Sequence, residues 1–211
     1  MNITAIETQY STMTGTAQLP LDMAKSIASL INIAESPKGS APLLQRVQVE
    51  LTENGLTASA TDKYIVAIAE YWHESADLQG FYLDHDAAKF IASLKPLSKH
   101  HREFLTFELS NGTLTITNGI KTHVSRLFDS KFPYVESIFR DAELATEATP
   151  TALNLTYLSK FTKLVDATGA KIDTWVMTST QSTPVKPGPV LLKPSKDSIN
   201  IKGMIQPNII K

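Results

Sequence analysis

The heptapeptide AKSIASL at residues 24–30 recurs almost unchanged as AKFIASL at residues 88–94, and this repeat is the strongest indication of the fold. Six of the seven positions are identical, and 64 residues separate the two copies (88 − 24). A repeat at such a distance is typical of a chain built from copies of one supersecondary unit. Apolar residues recur at helical spacing in both copies, so each is predicted to lie in an amphipathic helix.

Each copy of the heptapeptide is followed by the same kind of strand pattern. VELTENGLT at residues 49–57 and FELSNGTLT at residues 107–115 both alternate apolar and polar residues around an Asn-Gly pair. Alternation with a period of two indicates a half-buried strand, and Asn-Gly readily adopts the positive φ angles of a tight hairpin turn. The repeated unit is therefore predicted to be a helix followed by antiparallel strands.

A third and weaker copy begins at SKFTKLV, residues 159–165. Strand-like segments follow it at 171–178, 190–192 and 198–201. The similarity of this copy is one of pattern alone. Together the three copies predict an α+β fold made of repeated helix-plus-antiparallel-strand half-units.

Breaks in the pattern set the boundaries of these units. Pro37 and Pro42 are expected to end the first helix and Pro96 the second, because proline cannot continue the helical hydrogen-bond ladder. Residues 140–150 are small, polar and acidic, which is typical of a linker. The predicted organisation is a two-unit domain over 1–139 with half-units 1–75 and 76–139, a linker over 140–150, and a third half-unit over 151–211.

The composition limits the classes of function. The chain has 211 residues, of which 42% are hydrophobic, and its 20 Lys and Arg residues nearly balance 21 Asp and Glu residues. Any binding to nucleic acid must therefore come from local placement of charge.

The absence of cysteine fits a reducing compartment, and residues 1–18 are too polar for a signal peptide. No apolar stretch reaches membrane-spanning length, so we expect a cytoplasmic protein without a membrane partner.

Residues that could carry catalysis or bind a metal are scattered. His100 and His101 are adjacent and so do not face one site together in a helix or strand, and no zinc-ligand spacing is present. Asp84 and Asp86 open the second helix, where carboxylates cap the exposed amide groups. No phosphate-binding glycine loop or nucleophile elbow is found. We expect no catalytic residue, metal or cofactor, with an active site assembled from scattered residues as the weaker alternative.

One lysine recurs at a similar place in each predicted helix. Lys25 and Lys89 are equivalent in the two clear copies, and Lys160 is their counterpart in the third. Lysine is also the commonest solvent-facing residue of helices, so any one of them alone carries little weight. The recurrence favours a shared basic surface, and we predict that the three lysines line one continuous face.

The order of these motifs resembles the processivity clamps of replicative DNA polymerases, most closely the bacterial beta sliding clamp. GLTASATD at 55–62, where a Thr-Asp pair follows the first hairpin, is similar to that clamp's opening half-domain. SRLFDSKFP at 125–133 is similar to the close of its second half-domain, and PGPVLLKP at 187–194 to part of its last. The clamp's middle domain and the first half of its last domain have no counterpart among these motifs. The chain therefore resembles a shortened clamp.

The resemblance implies a protein that holds duplex DNA without reading its sequence, with helices on the inner, DNA-facing side and sheets outside. Long lysine side chains that meet phosphates suit such sliding. The implied partners are double-stranded DNA, a DNA polymerase or another clamp-binding protein, a clamp loader, and further copies of the chain in a homo-oligomer. The setting would be a bacterial cell or, for a phage-encoded accessory protein, an infected one. The implied DNA-binding residues are Lys25, Lys38, Lys89, Lys95, Lys160 and Lys163, although a solvated loop position explains Lys38 equally well.

Clamps of this family also bind short apolar peptide tails of polymerases and repair factors in a pocket beside their C-terminus. The residues that match this area are Met204, Ile205, Pro207 and Ile209. In these clamps the middle domain, which has no counterpart among the motifs of this chain, supplies much of the pocket. A terminal apolar strand that packs in the core explains the four residues equally well. The alternative function is a clamp-like scaffold that does not encircle DNA.

Overall fold

A computed structural model describes residues 5–39, 41–53, 55–73, 76–96, 103–135, 139, 153–183, 186–196 and 198–207. The helices are α1 (Leu21–Ser29), α2 (His85–Ser93) and α3 (Leu155–Phe161). The strands are β1 (Ala5–Thr8), β2 (Thr14–Pro20), β3 (Val47–Thr52), β4 (Gly55–Thr61), β5 (Ile65–Tyr71), β6 (Gly80–Leu83), β7 (Phe104–Ser110), β8 (Thr113–Thr117), β9 (Thr122–Arg126), β10 (Ser130–Pro133), β11 (Trp175–Thr183), β12 (Lys186–Pro194) and β13 (Ile201–Ile205). Short 3-10 helices span Leu30–Asn32 and Pro42–Leu44.

The repeat found in the sequence is a repeat of structure. The elements β2-α1-β3-β4-β5 and β6-α2-β7-β8-β9 follow the same order, in which one strand precedes the helix and three follow it. The two groups exchange their leading strands, because β2 pairs with β7 and β6 pairs with β3, both antiparallel. The helices α1 and α2 pack against each other. Each group therefore completes the sheet of the other.

The third group, α3-β11-β12-β13, joins the sheet of the first. Strand β13 pairs antiparallel with β5, from Ile201 opposite Ala69 to Ile205 opposite Ile65. This produces a seven-stranded sheet in the order β11-β12-β13-β5-β4-β3-β6, beside a four-stranded sheet in the order β2-β7-β8-β9. The α+β fold of helix-plus-antiparallel-strand units is confirmed. The predicted linker over 140–150 lies outside the described residues.

The seven-stranded sheet carries an apolar cluster on each of its two faces. One face packs with the helices into the main core, which includes Ile27, Ile91 and Phe161. The opposite face carries a smaller cluster beneath the ribbon of β1 and β10. Its members are Val66, Ile68, Phe132, Val135, Phe139, Leu191 and Met204. Alternate side chains of β5 thus serve two cores, which is why this strand contains a near-continuous apolar run from Ile65 to Ala69.

Residues that the sequence predicts to cap a helix, to form a tight turn or to end a helix lie where the structure has those features. The Asp84 carboxylate accepts a hydrogen bond from the Ala87 N–H at 2.8 Å, so this residue is a helix cap. Asn111 and Gly112 both have positive φ angles, +48° and +75°, as the tight turn between β7 and β8 requires. Pro96 follows α2 closely, and the first helix has ended before Pro37.

Candidate functional site

Lys25 and Lys89 occupy corresponding positions on two helices that touch. Each is the fifth residue of its helix, in α1 and α2 respectively. The Lys89 side chain is 76% exposed, with its Nζ 3.7 Å from an Asp86 carboxylate oxygen, and Lys25 is half-buried. An exposed ion pair of this kind is weak, so the Lys89 ammonium stays accessible to an anion. Lys38, Lys95 and Lys163 are exposed as well.

Lys160 is placed differently, because its ammonium is engaged within the chain. Its Nζ donates to the Asp62 Oδ2 at 2.6 Å, and the side chains of Lys160 and Asp62 are 24% and 9% exposed. The other oxygen of Asp62 accepts the backbone N–H groups of Tyr64 and Ile65, at 3.1 and 3.0 Å. Three donors thus fix the carboxylate in the turn between β4 and β5. The pair links α3 to that turn.

A stacking contact also holds the third group on the first. The rings of Tyr64 and Tyr157 stack with centroids 5.7 Å apart and an interplanar angle of 14°. Burial, and then the nearby Asp62 carboxylate, raises the pKa of Tyr157. Within the third group, Phe161 of α3 and Trp175 of β11 meet edge to face at 5.4 Å. The pair between Lys160 and Asp62 therefore belongs to a larger junction of side chains.

A buried hydroxyl network joins α1 to the segment after α3. The Ser26 Oγ donates to the Val165 carbonyl at 2.7 Å and lies 2.6 Å from the Tyr71 Oη. The Ser29 Oγ accepts the Val165 N–H at 3.3 Å. Burial raises the pKa of Tyr71 to about 12, so its hydroxyl remains protonated at neutral pH. Ser26 and Ser29 occur in the repeated heptapeptide, but the repeat gave no sign that they bind the third group.

An apolar cavity of about 210 Å³ opens beside the end of β13. Its walls come from β5 and the turn before it, from the chain around β10, from the second 3-10 helix and from the end of β13. The lining residues are Leu44, Thr61, Lys63, Tyr64, Ile65, Val66, Pro133, Val135, Met204 and Gln206. Tyr64 is 55% exposed and stands at this site as a large accessible aromatic ring. The lining is mainly apolar, with Thr61, Lys63 and Gln206 as polar members, which suits a short apolar segment.

The structure describes three of the four residues predicted to bind a partner peptide, and it places them in different surroundings. Met204 lines the cavity. Ile205 is fully buried in the main core on the other face of the sheet, because successive residues of a strand point to opposite sides. Pro207 is buried just after β13, and Ile209 lies outside the described residues. The sequence does not predict the cavity walls that come from other segments of the chain. Thr61 of the Thr-Asp motif and Pro133 of the Phe-Pro motif nevertheless line the cavity.

The part of the chain that the structure describes offers few groups for other chemistry. No three His, Asp or Glu side chains there converge as ligands for a metal ion. No described helix is long and apolar enough to span a membrane.

A family model decides the relationship. The model of the DNA polymerase III beta subunit, central domain, matches residues 18–134, which is more than half of the chain. The chain belongs to the DNA polymerase III beta subunit family. The matched domain is the central one, so the expectation that the middle domain has no counterpart is wrong. The Thr-Asp motif at 61–62 and the Phe-Pro motif at 132–133 both fall inside the matched region.

Solved structures of the family share the fold. The sliding clamp of Pseudomonas aeruginosa superposes with a TM-score of 0.65 at 14% identity, covering 93% of this chain and 67% of that one. The DNA polymerase III subunit beta of Borrelia burgdorferi gives 0.65 at 11% identity, with coverage of 93% and 63%. The beta subunit of Thermotoga maritima gives 0.60 at 14%, with 97% and 68%. The chain thus spans about two thirds of the length of these structures. No curated protein matches it.

Proposed function

We propose that the chain is a clamp-like processivity factor that holds duplex DNA without sequence preference and tethers a DNA polymerase or another DNA-processing protein. The match to the DNA polymerase III beta subunit family over residues 18–134 carries this proposal. The shared fold over 93% of the chain supports it. In this role the protein is not an enzyme and works in the cytoplasm, where polymerase and DNA are found.

The proposed DNA-binding groups are the accessible lysines of the helices and the segments that follow them. Lys25 and Lys89 lead this set because they lie at corresponding positions on packed helices. Lys38, Lys95 and Lys163 extend it. Lys160 is the weakest member, because Asp62 already neutralises its ammonium. A lysine that binds phosphate displaces a condensed counterion from DNA, so its contribution can be read from the salt dependence of binding.

The test compares two double variants in binding to duplex DNA over a range of salt concentrations. Lys25→Glu with Lys89→Glu should weaken binding and lower the slope of log Kd against log salt by about one per lysine. The matched control is Lys121→Glu with Lys196→Glu, two exposed lysines outside the helices, which should leave the slope unchanged. An unchanged slope in the first variant would remove the proposed DNA face and favour a scaffold that does not hold DNA.

We further propose that the cavity beside β13 is the binding site for the peptide tail of the partner protein. Its apolar walls and the exposed Tyr64 ring fit a short apolar segment, and Met204 supplies part of the wall. Tyr64→Ala should weaken binding of a labelled polymerase tail peptide at least about tenfold, as aromatic anchors dominate such interfaces. Val124→Ala, which trims an exposed residue of β9, is the control. Fluorescence anisotropy measures both, and equal affinities would exclude this cavity as the peptide site.

A further inference from the structure

Polar and aromatic side chains gather where the ribbon of β1 and β10 meets strands β3 and β6. Arg46 immediately precedes β3, and Gln48 of β3 lies opposite Tyr82 of β6. Tyr10, which follows β1, packs edge to face on Tyr82 with ring centroids 5.2 Å apart. These four residues, here named the ribbon cluster, are all buried, and none of them is acidic.

The uncharged members of the ribbon cluster have hydrogen-bond partners within the chain. The Tyr10 hydroxyl donates to the Gln48 Oε1 at 3.0 Å and accepts from the Gln48 Nε2 at 2.7 Å. The Tyr82 hydroxyl accepts the Phe128 N–H at 3.0 Å. Arg46 is therefore the member whose surroundings call for an explanation.

Arg46 is a buried cation without an acidic partner. The residue is 5% exposed, and its guanidinium carbon lies 4.4 Å from the centroid of the Tyr82 ring and 5.5 Å from that of Phe132. These rings attract the cation, yet its buried Nε and Nη2 atoms have no hydrogen-bond acceptor. No described aspartate or glutamate forms an ion pair with it. Burial lowers the pKa of Arg46, but a guanidinium stays protonated at neutral pH.

A second buried group without a partner comes from the ribbon itself. The Ser130 Oγ is shielded from solvent and makes no hydrogen bond. Ser130 and Phe132 are alternate residues of β10, so their side chains point to the same face of the ribbon. Because Phe132 meets Arg46, the Ser130 hydroxyl faces the same layer as the guanidinium. The layer thus combines a positive charge with three hydrogen-bond donors, at Nε, Nη2 and Oγ.

We propose that Arg46 and Ser130 bind a small inorganic anion of the halide class, such as chloride, between the ribbon and the sheet. A halide accepts from every donor of this set and neutralises the guanidinium, whereas a water molecule would leave the charge uncompensated. The rings of Tyr82 and Phe132 pack on the guanidinium, which favours a small ion over a bulky one. The bound ion would fasten β10 to the sheet, independently of DNA and peptide binding.

Thermal melting of the full chain in sodium chloride, compared with sodium gluconate at equal ionic strength, tests this site. An ion that binds only the folded protein raises the melting temperature once its concentration exceeds its dissociation constant, so chloride should stabilise the wild type more than gluconate. Arg46→Met keeps a long side chain beside the rings and should abolish the difference. Ser130→Ala should raise the chloride dissociation constant about tenfold, because a hydrogen bond to a charged group is lost. The matched control, Arg126→Met, removes an exposed arginine at the end of β9 and should preserve the difference.

Crystals of the wild type soaked in sodium bromide locate the ion directly, and they do so whether or not Arg46→Met folds. Anomalous scattering should show bromide within hydrogen-bonding distance of the Arg46 Nε or Nη2. Equal stabilisation by chloride and gluconate would overturn the proposal, because it indicates a general effect of salt. A chloride effect that persists in folded Arg46→Met places the ion elsewhere. A crystal with water beside Arg46 and no anomalous peak there would likewise contradict a halide site.

Discussion

At the scale of single residues, the ion pair between Lys160 and Asp62 is expected to stabilise the fold. It is largely shielded from solvent, so the Coulomb attraction is less screened than in a surface pair. A double-mutant cycle with Lys160→Met and Asp62→Asn should give a coupling energy of about 0.5–3 kcal/mol. Asparagine keeps an oxygen that can accept the N–H groups of Tyr64 and Ile65. Denaturant unfolding of the four proteins measures the coupling.

Lys163→Met provides the control for this cycle. Lys163 is exposed two residues after α3, and its replacement should change the free energy of unfolding by less than about 0.5 kcal/mol. A coupling energy near zero for the pair would mean that solvent screening cancels its attraction. Lys160→Glu would place two carboxylates together and lower stability, so this charge reversal cannot report on DNA binding alone.

The sequence shows that a lysine recurs in the three copies, but it does not show that one of these lysines, Lys160, pairs with a carboxylate of the same chain. Lys25 and Lys89 each stand fifth in their helices, whereas Lys160 stands sixth in α3. The Lys160 ammonium is held by the Asp62 Oδ2 at 2.6 Å, whereas the Lys89 side chain is 76% exposed. Asp62 was visible as part of the Thr-Asp motif, yet nothing in the sequence connects it to a lysine 98 residues away.

At the scale of elements, the docking of α3 on the sheet depends on a glycine. A Cβ atom on Gly203 of β13 would overlap the Phe161 ring, so the missing side chain allows the close approach. Gly203→Ala should therefore destabilise the protein by about 1–3 kcal/mol through overpacking. Phe161→Leu in the same chain should recover part of that loss, because a smaller side chain relieves the overlap. Thermal melting of both single variants and the double variant measures this, and strictly additive losses would contradict it.

Elements with strong local signals were predictable, and their partners were not. The heptapeptide repeat located α1 and α2, and the Asn-Gly pair located the turn between β7 and β8. Strand exchange between β2 and β7, and pairing of β13 with β5, join residues distant in sequence. Such pairings are decided by tertiary packing, which a local pattern does not encode. The apolar cavity was only partly predictable for this reason, since it is lined from four separate segments.

At the scale of the whole molecule, the division into a domain over 1–139 and a third unit over 151–211 stays a prediction, and hydrogen exchange can test it. Because β13 continues the sheet through β5, opening the third group would break a ladder and expose Phe161, which is fully buried. We therefore expect the amides of β13 and β4 to exchange with similar free energies, close to that of global unfolding. Lys160→Met should lower the protection of β13 before that of β4, because the pair with Asp62 ties α3 to the first group. Markedly faster exchange across β12 and β13 in the wild type would show instead that the third group opens as a separate unit.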